Sequence, residues 1–422
     1  MEYKKTTLSN GLRVVVVSMP SLESATVTVW TGTGSRYEAK EQGGISHFLE
    51  HMGFKGGRKY TSAKAVSEAI DAIGGEFNAS TSKHYTDYYV RTQNSKLPVA
   101  IDVLSDMLIS PLLNDKDIKR ERGVIIEEIG MYEDTPRSKI WDYFENLIFE
   151  GHTLGRDIIG SRETVSSLTR DNFIAYRDDQ YVGPNMLVTV AGGVKDTEVV
   201  ELIEKYFGEL PNRQAKKHET FAFDSHNNRA SVHYKDTEQA NFVLGFPGYQ
   251  YGHDRRYVEA VLDVILGKGM SSRLFTEIRE KRGLAYSVTT NTEHFVDAGY
   301  FSVYAGVDPK KARDAVNVVK QELEKVSSAK HGISKGEFDK AKGFIEGHFT
   351  LGLESTEDVN DFFGTEEVLL GKLRDPREVL TGIEKVTVDE VVDMARELFD
   401  FSKMRLSIIG PFKNEEQFKV LV

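Results

Sequence analysis

The stretch HFLEHMGFKG, residues 47–56, decides how the rest of this chain is read. It follows a Gly-rich run, TGTGSRYEAKEQGG at residues 31–44, and reads as helical. On a helix, positions i, i+3 and i+4 share a face, so His47, Glu50 and His51 converge on one point. Two imidazoles one turn apart can bind zinc at roughly 2.0–2.1 Å each. Glu50, between them, is placed to take a proton from a metal-bound water. The string H-x-x-E-H is the inverse of the H-E-x-x-H metallopeptidase motif and carries the same mechanics. The bland alternative is a solvated amphipathic helix with two ordinary histidines. With 11 histidines in 422 residues such a string also arises by chance, so its context has to decide.

A zinc site of this kind needs a third protein ligand and leaves the fourth position for water. The chain has no cysteine, which excludes thiolate ligands, thiolate nucleophiles and disulfides together. A carboxylate from another helix is the expected source. The segment RERGVIIEEI, residues 120–129, offers Glu121, Glu127 and Glu128 amid aliphatic residues. Glu121 and Glu128 are seven apart and share a face with Val124 and Ile125 between them, whereas Glu127 points about 100° away and is more naturally solvated. Without HFLEH, three surface charges on an acidic helix would be the better account.

Outward from this centre, the length of 422 residues suggests two domains of ordinary size, and 40% hydrophobic with 28% charged residues indicates a folded chain. The net charge of −11, with no basic cluster interleaved with aromatics, argues against nucleic acid as a partner. The first ten residues are polar, and Val14–Val17 is too short a run for a signal-peptide core or a membrane span. A cytoplasmic protein is expected, and a form that had lost a targeting peptide would read the same. No G-x-S-x-G or G-x-x-x-x-G-K-[ST] string points to a serine hydrolase or a nucleotide-driven enzyme.

Residues 13–17 and 25–30 read as a pair of strands, 62–73 as a helix, and 77–90 as a second strand pair. Further helices are expected from Leu97 and over about 115–133. The polar stretch 211–230 lacks helical periodicity and is the best linker. The expected domains are therefore 1–212 and 229–422, joined by 213–228. YFSVYAGVDPKKARDAVNVV from Tyr300 resembles YYVRTQNSKLPVAIDVLSDM from Tyr88 at an offset of 212, which a duplicated α/β unit explains. The second copy reads EAVLD at 259–263 where the first has HFLEH, so one metal site per chain is expected.

At HFLEHMGFKG the sequence resembles the pitrilysin/insulinase family of inverzincin metallopeptidases, in particular its short members, the processing peptidases of bacteria and mitochondria, and the match spans essentially the whole chain. The resemblance implies a third zinc ligand 77 residues beyond the second histidine, at Glu128, and a supporting glutamate one heptad earlier, at Glu121. GGEFNASTSKHYTDYYV, residues 74–90, is similar to the family's substrate-docking strand; the carry-over lands on Asn78 and Ala79, although the expected aromatic after the alanine is absent. SSRLFTEIREKRGLAYSV, residues 271–288, is similar to the family's Arg/Tyr segment, implying that Arg279 and Tyr286 bind substrate carbonyls and steady the oxyanion.

What the resemblance implies for the whole is an α+β fold. Two homologous α/β domains, each a mostly antiparallel sheet packed with helices, would form half of a clamshell, and two chains would close a chamber around peptide substrates. The partner is expected to be a second copy, with a heterodimer as the alternative, and Arg279 and Tyr286 of one subunit would face the zinc of the other. The expected function is a zinc-dependent endopeptidase for unfolded peptides or presequences. The alternative from another class is a non-catalytic scaffold subunit that retains an ancestral metal site.

Overall fold

The computed structural model describes residues 1–223, 228–328 and 332–422, so residues 224–227 of the expected linker lie outside the described residues. The chain forms two compact units, the first from residues 1–130, 156–219 and 351–375, the second from 131–155, 220–350 and 376–422.

The first unit is built on a six-stranded sheet. Its strands are β1 (Tyr3–Thr7), β2 (Arg13–Ser18), β3 (Ser24–Thr31), β4 (Glu76–Thr81), β5 (Thr86–Gln93) and β6 (Met186–Gly192), in the order β1-β2-β6-β3-β5-β4. β2 and β6 run parallel, and every other neighbouring pair is antiparallel. The four consecutive valines of β2 explain its central place: side chains alternate across a strand, so Val14 and Val16 enter the core on one face while Val15 and Val17 enter the core on the other. β2 and β3, expected to be partners, are separated by β6. All seven residues of β6 are buried, so it has no polar face to show water and takes the interior position between them. Alternation identifies strands but does not say which strands pair.

The second sheet holds β7 (Ala230–Tyr234), β8 (Ala240–Pro247), β9 (Ala285–His294), β10 (Gly299–Val307) and β11 (Arg405–Gly410), in the order β7-β11-β8-β10-β9. Leaving β1 aside, its pattern repeats that of the first sheet, including one parallel pair, β7 with β11, in the place of β2 with β6. β5 leads into the helix Leu97–Ile109 as β10 leads into Ala312–Ser327, with the strand and helix starts within a few residues of the offset of 212 seen in the sequence. The fold is that of two homologous α/β domains with mostly antiparallel sheets.

The compact units are cut differently from the continuous division at 213–228, because each sheet has two faces to cover. The first sheet's outer face is covered by the helix Thr356–Leu370, whose Val359 and Phe363 pack on Val15, Val17 and Trp30. Asn360 donates to Thr28 Oγ1 at 2.8 Å, and the Thr26 and Thr356 hydroxyls bond at 2.8 Å. The second sheet's outer face is covered by the helix Pro136–Ile148, through Ile140, Phe144 and Ile148 against Val243, Tyr300 and Ile409. No helix among the described residues is long and apolar enough to cross a membrane.

Candidate metal centre

The helix carrying HFLEH, here α1, runs Ile45–Gly53. It starts at Gly44, whose φ of 92° belongs to the left-handed region; a Cβ there would also sit 2.5 Å from the Ile159 carbonyl oxygen. Glu38 closes the helix start: its carboxylate accepts from the Gly44 and Ser46 backbone N–H groups, both at 2.8 Å. Burial pushes the Glu38 carboxyl up to about 7, against the pull of those two N–H donors. Ile45, Phe48, Leu49 and Met52 are buried in the core of the first unit. The remaining face carries His47, Glu50 and His51, all half-buried.

The second helix of the site, α2 (Asp115–Asp134), anchors itself by Ile118, Ile125 and Ile129. Glu128 projects from it so that its carboxylate lies 3.8 Å from His47 Nε2 and 3.6 Å from His51 Nε2. One ligand atom from each of His47, His51 and Glu128 falls within 4.8 Å of the other two. Ligands at 2.0–2.1 Å on a tetrahedral ion stand ~3.3 Å apart, so this donor set fits zinc after small closing movements. Among the described residues it is the only such group. Glu121 is buried, and its Oε1 lies 2.9 Å from His51 Nδ1, which leaves Nε2 free for an ion. Glu127 is exposed, as expected from its angle on the helix.

The pKa shifts differ in sign across the site: His47 is held ready to ligate, whereas His51 and Glu128 hold their protons more tightly and must release them to a metal. Burial, and then the neighbouring His51, lower the His47 pKa to about 4, so its ring is neutral at physiological pH. Burial also works to lower His51, but the Glu121 hydrogen bond and the charges of Glu50, Glu121 and Glu128 outweigh it and the net shift is upward. Glu50 is raised chiefly by burial, and a hydrogen bond from Thr81 opposes the rise. Glu128 is raised, again by burial first. For Glu121 burial would raise the pKa, yet hydrogen bonds from His51 and Lys55 prevail and lower it.

Two neighbours were not singled out in the sequence. Lys55 Nζ lies 2.6 Å from Glu121 Oε2, so both oxygens of that carboxylate are engaged. Thr81 Oγ1 donates to Glu50 Oε2 at 2.6 Å. Lys55 stands four residues beyond His51 and Thr81 shares a strand face with Ala79, but each meets its partner on another element, which no spacing within its own element signals.

The other expected residues fall in two places. Asn78 and Ala79 lie on β4, the edge strand of the first sheet, which pairs with β5 on one side and has no strand on the other among the described residues. Asn78 is exposed and Ala79 half-buried. Arg279 and Tyr286 belong to the second unit, Arg279 on a π-helical turn, Phe275–Glu280, and Tyr286 on β9. The Arg279 guanidinium lies 4.8 Å over the Phe275 ring and 4.9 Å over the Tyr286 ring, and Tyr286 is 76% exposed. These two are brought to each other; the metal-ligand candidates and Glu50 are brought together in the first unit.

Comparison with known proteins gives the same picture of kinship. Residues 13–162 match the family described as insulinase (peptidase family M16), and residues 167–343 match the peptidase M16 inactive domain. An uncharacterized zinc protease of Streptomyces coelicolor is 40% identical over 98% of this chain and 90% of its own length. One from Bacillus subtilis is 36% identical over 97% and 99%. Among solved structures, a protease from Helicobacter pylori superposes with a TM-score of 0.90 at 25% identity, covering 97% of this chain and 99% of that one. A Pseudomonas fluorescens peptidase M16 inactive domain reaches 0.90 at 17% identity, over 98% and 100%, which speaks for the fold alone.

Proposed function

The chain belongs to the insulinase (M16) peptidase family, and on that premise we propose that it is a zinc-dependent endopeptidase acting on unfolded peptides or presequences. The observation that carries the reading is the convergence of His47, His51 and Glu128 with Glu50 beside them. In this proposal those three side chains hold zinc. Zinc, when bound, supplies a Lewis acid that polarises the scissile carbonyl and acidifies water. Glu50 would take the proton of the attacking water and deliver it to the leaving amine. Glu121 would fix the His51 ring through Nδ1, keeping Nε2 on the Glu128 side as a ligand atom. Extended peptide adds to the free edge of β4 at Asn78 and Ala79, since an unpaired strand edge offers a row of backbone donors and acceptors. Arg279 and Tyr286 serve as donors to substrate carbonyls. The partner in this reading is a second copy of the chain, and the site of action is the cytoplasm.

Metal analysis and hydrolysis of a quenched fluorescent peptide, with and without a chelator, test the reading. Glu50→Gln is expected to keep zinc and lose roughly 10²- to 10⁴-fold in rate. Full activity in that variant would refute the assignment. A wild-type protein with neither zinc nor turnover would turn the chain into a scaffold subunit.

A further inference from the structure

We propose that Thr81 is a positioning residue for Glu50, fixing the general base to the strand that docks substrate. The inference rests on the peptidase reading above and adds to it the group that aims the base.

Glu50 leaves α1 on a side chain with three torsions, half-buried beside two histidines. Unrestrained, such a chain samples several rotamers, and only a few place an oxygen toward the ion. Thr81 removes that freedom: its hydroxyl donates to Oε2 at 2.6 Å, in the short range of charge-assisted bonds, and leaves Oε1 unengaged by this bond. Thr81 is itself well held. Its χ1 is stiff because it is β-branched. Its backbone pairs with Thr86 at the closed end of the β4–β5 hairpin, and the Ser82 N–H donates to the Tyr85 carbonyl at 2.8 Å. At the other end of β4, Phe77 packs on Phe54 with ring centroids 5.6 Å apart. Phe77, Ala79 and Thr81 share the half-buried face of the strand, whereas Asn78 and Ser80 are on the exposed face. One strand therefore carries both the peptide-docking edge and the anchor of the base. A peptide laid along β4 is in register with Glu50 through Thr81.

The test replaces Thr81 with Val, which keeps the branched shape and deletes the hydroxyl, and with Ser, which keeps the hydroxyl. Each variant is measured for zinc content, kcat and KM with a fluorogenic peptide, and the Glu50 rotamer in a crystal structure of the metal-free protein. T81V is expected to lose about 10- to 100-fold in kcat with KM and zinc content unchanged, and to show Glu50 turned away from its present position. T81S is expected to restore most of kcat. A T81V protein with wild-type kcat and an unmoved Glu50, while Glu50→Gln is inactive, overturns the role of Thr81 and leaves the peptidase reading standing. Equal losses in T81V and T81S, or a rise in KM alone, also overturn it, because a structural role would produce those. An active Glu50→Gln overturns the peptidase reading and this inference with it.

Discussion

Glu121 is a buried carboxylate whose two oxygens are spent on different partners, His51 Nδ1 at 2.9 Å and Lys55 Nζ at 2.6 Å. Removing its charge while keeping its shape, Glu121→Gln, is expected to weaken zinc binding about 10- to 100-fold in a chelator-competition titration, since the partner behind a ligating histidine sets its orientation and basicity. A second buried acid makes a stability prediction. Glu259 in the second unit is 1% exposed, and neither of its oxygens has a hydrogen-bond partner among the described residues. Burial, and then the charge of Asp263, raise its pKa to about 8. His294 Nε2 lies 3.7 Å away, but burial lowers that imidazole and keeps it neutral, so it does not act as a counter-charge. The folded protein thus holds a proton that the unfolded chain releases above about 4.5. Its contribution to stability is full below that value and is lost as pH rises through about 8. Glu259→Gln is expected to flatten the fall of Tm across that window; an unchanged slope would show that the carboxyl is not the titrating group. At this scale the sequence was legible where chemistry is local. His47, Glu50 and His51 sit within five residues, and helix geometry alone brings them together. Thr81 and Lys55 each meet their partner across two elements, and spacing along one element says nothing of that.

Among the elements, α1 depends on a backbone position at its start. Gly44→Ala forces a side chain into the left-handed region at φ 92° and into the Ile159 carbonyl. It is expected to cost about 1–3 kcal/mol and to lower zinc occupancy, measured by denaturant unfolding and metal analysis. The helix Thr356–Leu370 is the other element whose loss is informative. Phe363 is fully buried against the outer face of the first sheet, and Phe363→Ala is expected to cost about 3–5 kcal/mol. Strand positions were readable from runs such as RVVVVS and from the alternation of β4, since burial on one or two faces leaves a period-two or continuous apolar pattern. Their neighbours were not. The insertion of β6 between β2 and β3 pairs residues more than 150 apart in the chain, and no local pattern encodes such a partner.

For the whole molecule, the duplication was visible as an offset of 212, but the exchange of covering helices was not, because an amphipathic helix advertises an apolar face without naming the surface it covers. The exchange makes each half of the sequence incomplete. A fragment ending at Glu219 lacks residues 351–375 and leaves Val15, Val17, Trp30, Leu187 and Ala191 without their cover. It is expected to aggregate on expression, and a fusion that appends residues 351–375 and replaces 131–155, which belong to the second unit, with a short linker is expected to be recovered monodisperse. A soluble, cooperatively unfolding 1–219 fragment would contradict this.

The same arrangement sets a timetable for biosynthesis. β6 completes the first sheet when the ribosome has read to Gly192, yet the helix that shields its outer face is finished only at Leu370. At ~5–20 residues per second the nascent sheet waits roughly ten to forty seconds with a bare apolar surface. A folding helper bound during that interval, and released once the C-terminal segments emerge, is what the chain's own order of synthesis calls for.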